Sequence, residues 1–200
     1  MNLPKDPHCA MVIGMTGSGK TDFVLDLIES EYRGVFKHIV IICPTFNDNK
    51  TYRARHWIEK DKNVYPVNPG NVFNETLKYF HEKFKNETTL FIIDDCSAMR
   101  DLTIKKQELS KLAFSGRHTG HSVWILTQKY NSVLTDFREQ VRWLALFKCK
   151  DKDTFDECLK ENDVIETKDE KETVRKILKE TPYAKLILCN DCPASWKVIR

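Results

Sequence analysis

Glycine and proline are scarce, seven of each in 200 residues, which excludes collagen-like repeats and the low-complexity composition of disordered chains. Long apolar runs are also missing. The longest, Ile39 to Cys43 and Leu144 to Phe147, are strand-sized and far short of the roughly 18 residues that cross a bilayer, so no membrane partner is expected. The N-terminal run Met1-Asn-Leu-Pro-Lys-Asp-Pro-His-Cys9 has no apolar region leading to a cleavage site, which argues against secretion. An excess of one charge is lacking: 32 Lys and Arg stand against 29 Asp and Glu, net +3, too little by itself to indicate nucleic acid. Cysteines number seven, an odd count, and Cys9, Cys43, Cys96 and Cys149 sit in or beside apolar runs. There a thiol behaves as a small hydrophobe, and an intracellular, reducing compartment is implied. What remains is a chain with 41% hydrophobic and 30% charged residues, long enough to bury about 70% of its unfolded surface in one domain.

Periodicity predicts a strand at Ala10 to Ile13, a Gly-rich turn, and a helix from Lys20 to Tyr32 with Phe23, Val24, Leu27 and Ile28 on one side. A strand follows at His38 to Cys43, then a polar and aromatic stretch from Asn47 to Asp61, and a helix near Val72 to Phe84. The most apolar strand, Thr89 to Ile93, runs into Asp94-Asp95. Asp101 is suited to cap a helix through Phe114, Gly116 to Gly120 reads as a loop, and strands are predicted at Ser122 to Leu126 and Val141 to Phe147. Strands alternating with helices, several of them continuously apolar, indicate an α/β fold with a mostly parallel sheet covered on both faces. The segment 151–200 differs: two charged amphipathic helices, Asp151 to Leu159 and Glu166 to Glu180, then a hairpin of Ala184 to Cys189 and Ser195 to Ile199. It reads as an appendage packed on a 1–150 core, the whole forming a single domain.

Chemistry concentrates in Gly14-Met15-Thr16-Gly17-Ser18-Gly19-Lys20-Thr21, which satisfies the P-loop pattern between an apolar strand and a helix. Glycines there let backbone amides curl round a phosphate, and the helix N-terminus adds its positive end. Lys20 is suited to neutralise the β and γ phosphates of ATP, and the Thr21 hydroxyl to ligate Mg2+. Leu90-Phe-Ile-Ile-Asp94-Asp95 delivers two carboxylates at a strand's end, Asp94 for Mg2+ and Asp95 for the attacking water. The strand Ser122 to Thr127 ends in Gln128, an amide able to hold that water or sense the γ-phosphate. Upstream, Ser115-Gly-Arg117-His118-Thr-Gly120-His121 carries Arg117 on what reads as a flexible loop, from which it could reach a neighbouring subunit as an arginine finger.

With these residues in place the chain resembles the genome-packaging ATPases of the FtsK/HerA superfamily, in the branch found in poxviruses, other large DNA viruses, virophages and Polinton-type elements. The resemblance covers roughly residues 8 to 150. It implies a RecA-like core that assembles as a homo-oligomeric ring and pumps double-stranded DNA into a preformed capsid, with a capsid or portal-vertex protein as partner and the host cytoplasm or viral factory as its place. By motif, Lys20 and Thr21 take the Walker A role, Asp94 and Asp95 the Walker B role, Arg117 the trans-acting finger and Gln128 the sensor. Many superfamily members have Glu where this chain has Asp95.

Residues 97–150 hold ten basic side chains against four acids, a local +6 that a ring would repeat around a pore and that would attract phosphates without reading bases. Lys129-Tyr130-Asn131 could touch a DNA backbone. Cys189-Asn-Asp-Cys192 has the spacing of half a zinc site but no second pair to complete it, and a turn that happens to hold two cysteines is favoured. Two other functions fit a P-loop: a nucleoside or nucleotide kinase, and an NTP-dependent assembly factor without turnover.

Overall fold

The computed structural model describes residues 3–96, 107–191 and 193–200. In chain order the elements are β1 (Cys9–Ile13), α1 (Lys20–Glu29), β2 (His38–Ile42), α2 (Lys50–Arg53), α3 (Trp57–Lys60), β3 (Val64–Val67), α4 (Phe73–Lys83), β4 (Thr89–Asp94), α5 (Gln107–Thr119), β5 (His121–Thr127), α6 (Thr135–Arg138), β6 (Val141–Phe147), α7 (Lys152–Glu161), α8 (Lys168–Glu180), β7 (Lys185–Cys189) and β8 (Ser195–Ile199). Among the described residues the strands form one sheet in the order β3-β2-β4-β5-β1-β6-β7-β8. From β3 to β6 all pairs are parallel, while β6–β7 and β7–β8 are antiparallel. The predicted α/β architecture is therefore present, and the C-terminal hairpin continues the same sheet.

Side chains alternate across this sheet into two apolar layers. Met11, Ile13, Phe91, Ile93, Val123 and Leu144 face one way with α4, α5, α7 and α8. Val12, Ile92, Trp124, Leu126, Trp143 and Ala145 face the other, against Val24, Leu25 and Ile28 of α1. Covering on both faces is why β1, β2, β4 and β5 are buried along their whole length and read as continuous apolar runs.

Three features depart from the sequence reading. Strand β3 carries Pro66, which cannot donate to a ladder and is tolerated because β3 is an edge. The stretch read as merely polar and aromatic folds into a 3-10 turn at Phe46–Asp48 and the short helices α2 and α3, which bury Tyr52 and Ile58. The segment 116–119 is helical, not a loop: it forms the last turn of α5. Gly116 is there for packing, since a Cβ on it would lie 2.9 Å from the His121 carbonyl oxygen. The helix stops at Gly120, whose φ of +81° places it in the left-handed region that ends helices. The proposed start of this helix at Asp101 lies outside the described residues.

Candidate active site

The glycine-rich loop leaves β1 at Ile13 and is tied on both sides. The Gly14 amide donates to Thr127 O at 3.1 Å and the Met15 amide to Lys148 O at 2.9 Å. No side chain fits at Gly14, where a Cβ would lie 2.6 Å from Phe147 Cβ. Gly19 takes φ +91° as the N-cap of α1 and offers no side chain, so the first amides of α1 keep their donors open. Lys20 Nζ donates to Gly14 O at 2.8 Å and Met15 O at 3.1 Å, which holds the ammonium over the loop. Partial burial lowers its pKa. Ser18 Oγ is buried in the same loop, tucked against Gly14, and has no partner among the described residues.

Strand β4 delivers Asp94 to this loop. Thr21 Oγ1 donates to Asp94 Oδ2 at 2.9 Å, and the buried Tyr52 hydroxyl donates to the same oxygen at 2.8 Å. Asp94 is 4% exposed. Its burial raises the carboxyl pKa despite the opposing pull of these hydrogen bonds and of Lys20. Asp95 turns outward with φ +54°, a backbone region uncommon for a residue with a Cβ and costing of order 1 kcal/mol. Thr45 Oγ1 donates to Asp95 Oδ2 at 3.3 Å.

These groups share one cavity of about 420 Å3, lined among others by Lys20, Thr21, Asp94, Asp95, Gln128 and Tyr183. Its volume suits a small-molecule ligand. Because β5 lies between β1 and β4, Gln128 at its end stands between the loop and the two acids. Of the remaining P-loop residues, Thr16, Gly17 and Gly19 line the cavity, whereas Gly14, Met15 and Ser18 do not. Gly14 is wedged beneath Phe147.

Arg117 is not in this cavity. It sits in the last turn of α5, one turn beyond Ala113, whose carbonyl accepts from the Cys9 thiol at 3.9 Å, and so at the amino end of β1, while the glycine-rich loop leaves the carboxyl end. With a strand rise of about 3.3 Å per residue, the sheet separates the two by roughly 15 Å. Its Nη2 donates to Gln140 Oε1 at 3.5 Å from an exposed helix surface.

Two expectations about DNA contacts are corrected. Tyr130 is buried and donates from its hydroxyl to Glu161 Oε2 at 2.8 Å, and Asn131 donates to Glu157. Both side chains tie α7 to the core: Tyr130 is buried, and the exposed Asn131 is engaged by Glu157, which leaves Lys129 as the exposed charge of that triplet. The local basic excess is also reduced, because Arg138 pairs with Glu161 and Arg142 with Asp6 and Asp191, acids beyond the counted window. Arg100, Lys105 and Lys106 lie outside the described residues.

Sequence reasoning missed Thr45, Tyr52 and Tyr183. Tyr52 had one signal, a tyrosine in an otherwise polar stretch, and Tyr183 another, an aromatic beside Pro182 where the chain turns back toward the sheet. Cys192 of the spaced pair lies outside the described residues, and among the described residues no cluster of three or more His, Cys, Asp or Glu could hold a metal. Nor is any described helix long and apolar enough to cross a membrane.

A family model described as Poxvirus A32 protein matches residues 1–191. Among solved structures, the genome packaging NTPase B204 of Sulfolobus turreted icosahedral virus 2, in complex with AMPPCP, aligns with a TM-score of 0.68 at 14% identity, covering 99% of each chain. The DNA-packaging ATPase B204 of Sulfolobus Turreted Icosahedral Virus gives 0.66 at 17% identity, covering 100% of this chain and 98% of the other. The pCW3 conjugation coupling protein TcpA, with ATPgS, gives 0.65 at 14% identity over 96% of this chain and 60% of the other. At such identities the likeness to these structures is one of fold. No curated protein matches the chain by sequence.

Proposed function

Because the chain belongs to the Poxvirus A32 protein family, we propose that it is an ATPase of the FtsK/HerA type that works as a homo-oligomeric ring and drives double-stranded DNA into a preformed capsid, acting with a capsid or portal-vertex protein in the cytoplasm of an infected host. The observation that carries this reading is the single cavity in which Lys20 and Thr21 meet Asp94, Asp95 and Gln128. That a solved relative by fold is a genome packaging NTPase bound to AMPPCP supports it.

Loop amides, the N-terminus of α1 and Lys20 would hold the phosphates. Thr21 Oγ1 and an Asp94 oxygen, 2.9 Å apart, are the hard donors that Mg2+ takes; held there, the ion would neutralise phosphate charge. Gln128 orients the water and Asp95 accepts its proton as the oxygen attacks the γ-phosphorus and the bond to the ADP oxygen breaks. The position of Gln128 between loop and acids favours water, rather than a second substrate's hydroxyl, as the acceptor. Arg117, at the far end of the sheet from its own cavity, would serve the cavity of the neighbouring subunit. Exposed Lys129, Lys148 and Lys150 would contribute a sequence-neutral attraction to DNA. Residues 151–200 are read as an appendage of one domain with the 1–150 core, supported by the pairing of β7 on β6.

Steady-state ATP hydrolysis with and without long double-stranded DNA, across a salt titration, tests this. Turnover stimulated by DNA, with stimulation fading as salt rises, is expected. Turnover requiring a nucleoside acceptor would replace the motor with a kinase, and binding without turnover under any condition would replace it with an assembly factor.

A further inference from the structure

Among the described residues three that are not glycine have positive φ: Asn86, Asp95 and Tyr183. Asparagine tolerates that region. Aspartate visits it as well, whereas a bulky tyrosine there is an outlier for its type, and both Asp95 and Tyr183 line the cavity with the glycine-rich loop. Asp95 has a chemical reason to be held there, so the same question falls on Tyr183.

Tyr183 occupies the turn between α8 and β7. The Ala184 amide donates to Thr181 O at 3.3 Å, Pro182 takes the second position and Tyr183 the third, with φ +60°. A positive φ at the third position of a turn is ordinarily met by glycine or asparagine. Lys185 Nζ, spread over the rings of Phe23 and Phe147, donates to the Tyr183 carbonyl at 3.2 Å and helps fix the turn. The strained backbone secures no burial: Tyr183 is 66% exposed, the highest among the exposed large hydrophobic side chains. What it does secure is position. A Cβ on Gly19 would lie 3.1 Å from Tyr183 Cδ1, so the ring stands against the glycine that opens α1.

Sheet order fixes which side of the loop this is. Asp94, Asp95 and Gln128 come from β4 and β5 on one side of β1, whereas Tyr183 precedes β7 on the other, beyond β6. If the acids and Gln128 mark the end where the terminal phosphate reacts, the opposite flank is where the nucleoside emerges. We propose that Tyr183 is the base-stacking residue, offering its exposed ring face to the nucleobase of the bound nucleoside triphosphate without reading base identity. This rests on the nucleotide reading of the cavity. Aromatic stacking accepts any base because every base has a π-face, and a residue kept in a disfavoured conformation at a ligand site is characteristic of functional positioning.

Calorimetric titration of wild type, Tyr183→Phe, Tyr183→Ala and Tyr183→Gly with ATP, GTP and inorganic tripolyphosphate tests it. Glycine suits the positive φ, so that variant removes the ring while sparing the turn. Both ring-less variants are expected to bind ATP and GTP about ten-fold or more weakly, to bind tripolyphosphate as wild type does, and the Phe variant to bind all three normally. Unchanged ATP affinity in Tyr183→Gly would overturn the proposal, and so would an equal loss of ATP and tripolyphosphate, which would make the ring a support of the loop. A loss for ATP with none for GTP would overturn its indifference to the base. Wild type binding neither nucleotide nor tripolyphosphate would refute the nucleotide reading itself, a result distinct from all of these.

Discussion

The two ends of β1 are buried in the same sheet and carry opposite kinds of polar chemistry. At the amino end, His8 Nδ1 donates to Asp6 O at 2.7 Å, its Nε2 accepts from the Trp124 indole at 2.9 Å, and its amide donates to Ser122 Oγ at 3.1 Å. Around it, the Tyr32 hydroxyl donates to Pro4 O and Arg142 clasps Asp6 and Asp191. The groups there are paired in ordinary backbone geometry, the indole N–H of Trp143 excepted. At the carboxyl end, Ser18 Oγ has no partner, Asp95 and Tyr183 hold positive φ, and Asp94 keeps a raised pKa. Burial alone therefore does not separate structural from functional polar residues. Backbone strain is the sharper guide, since Asp95 and Tyr183 both line the cavity, whereas buried unpaired atoms also occur away from it, at His38 Nδ1, Trp143 Nε1 and Arg175 Nε.

The sharpest way to break this division is Arg117, which sits at the amino end yet is assigned to chemistry. Arg117→Ala is expected to lower turnover by about 10³-fold or more while ATP affinity, read by calorimetry, stays unchanged. Mixing it with Asp95→Asn subunits should restore part of the activity, since some interfaces would then pair an intact finger with an intact cavity. No rescue in any mixing ratio would return Arg117 to the structural end of the molecule. Next in size is Lys20→Ala, expected to cost roughly 10²–10³-fold in kcat/KM through loss of charge stabilisation at the phosphates. Near-normal turnover in that variant would remove the glycine-rich loop from the site.

What could be read from the sequence divides along similar lines. Strands buried on both faces announce themselves as continuous apolar runs, so β1, β2, β4, β5 and β6 were legible almost to the residue, and the spacing of Gly14, Gly19, Lys20 and Thr21 fixed the loop because the pattern is local. Glycine misled where it serves packing: Gly116 reads as a helix breaker, but the close approach of the His121 carbonyl is a tertiary fact. Pro66 hid β3 in the same way, since only the sheet order shows that the strand is an edge. Tyr130 reads as a surface aromatic until α7 folds over it. Tyr52 and Tyr183 reach the site from 42 residues before Asp94 and from the far side of β6, and no periodicity links such distant positions to a motif.

The amino end can be tested by acid. Burial lowers the His8 pKa to about 4 against the opposing hydrogen bond to the Asp6 carbonyl, below its unfolded value near 6.5, and the Trp124 indole N–H facing Nε2 requires the neutral ring. A depressed histidine pKa contributes stability that is complete above the unfolded pKa and is lost as pH falls toward the folded one, since the unfolded chain binds a proton the folded chain refuses. The loss between pH 6.5 and 4 should approach about 3 kcal/mol. Urea unfolding of wild type and His8→Asn over that range should show a shallower decline in the variant, and parallel curves would mean that His8 does not titrate as its environment requires.

At the carboxyl end the smallest effect concerns Tyr52, whose hydroxyl favours the ionised form of Asp94 and so opposes the rise that burial imposes. Tyr52→Phe leaves the ring in place and removes only that donor, so the Asp94 pKa should rise further and its grip on a divalent cation weaken by about ten-fold, the scale for a lost hydrogen bond to a charged or ligating group. Turnover should fall at low Mg2+, recover as Mg2+ is raised, and show its acidic limb displaced to higher pH. A merely structural tyrosine would lower stability without moving either profile. If neither the Mg2+ requirement nor the acidic limb shifts in Tyr52→Phe, the carboxyl end contains one satisfied structural pair, and strained groups alone would mark its function.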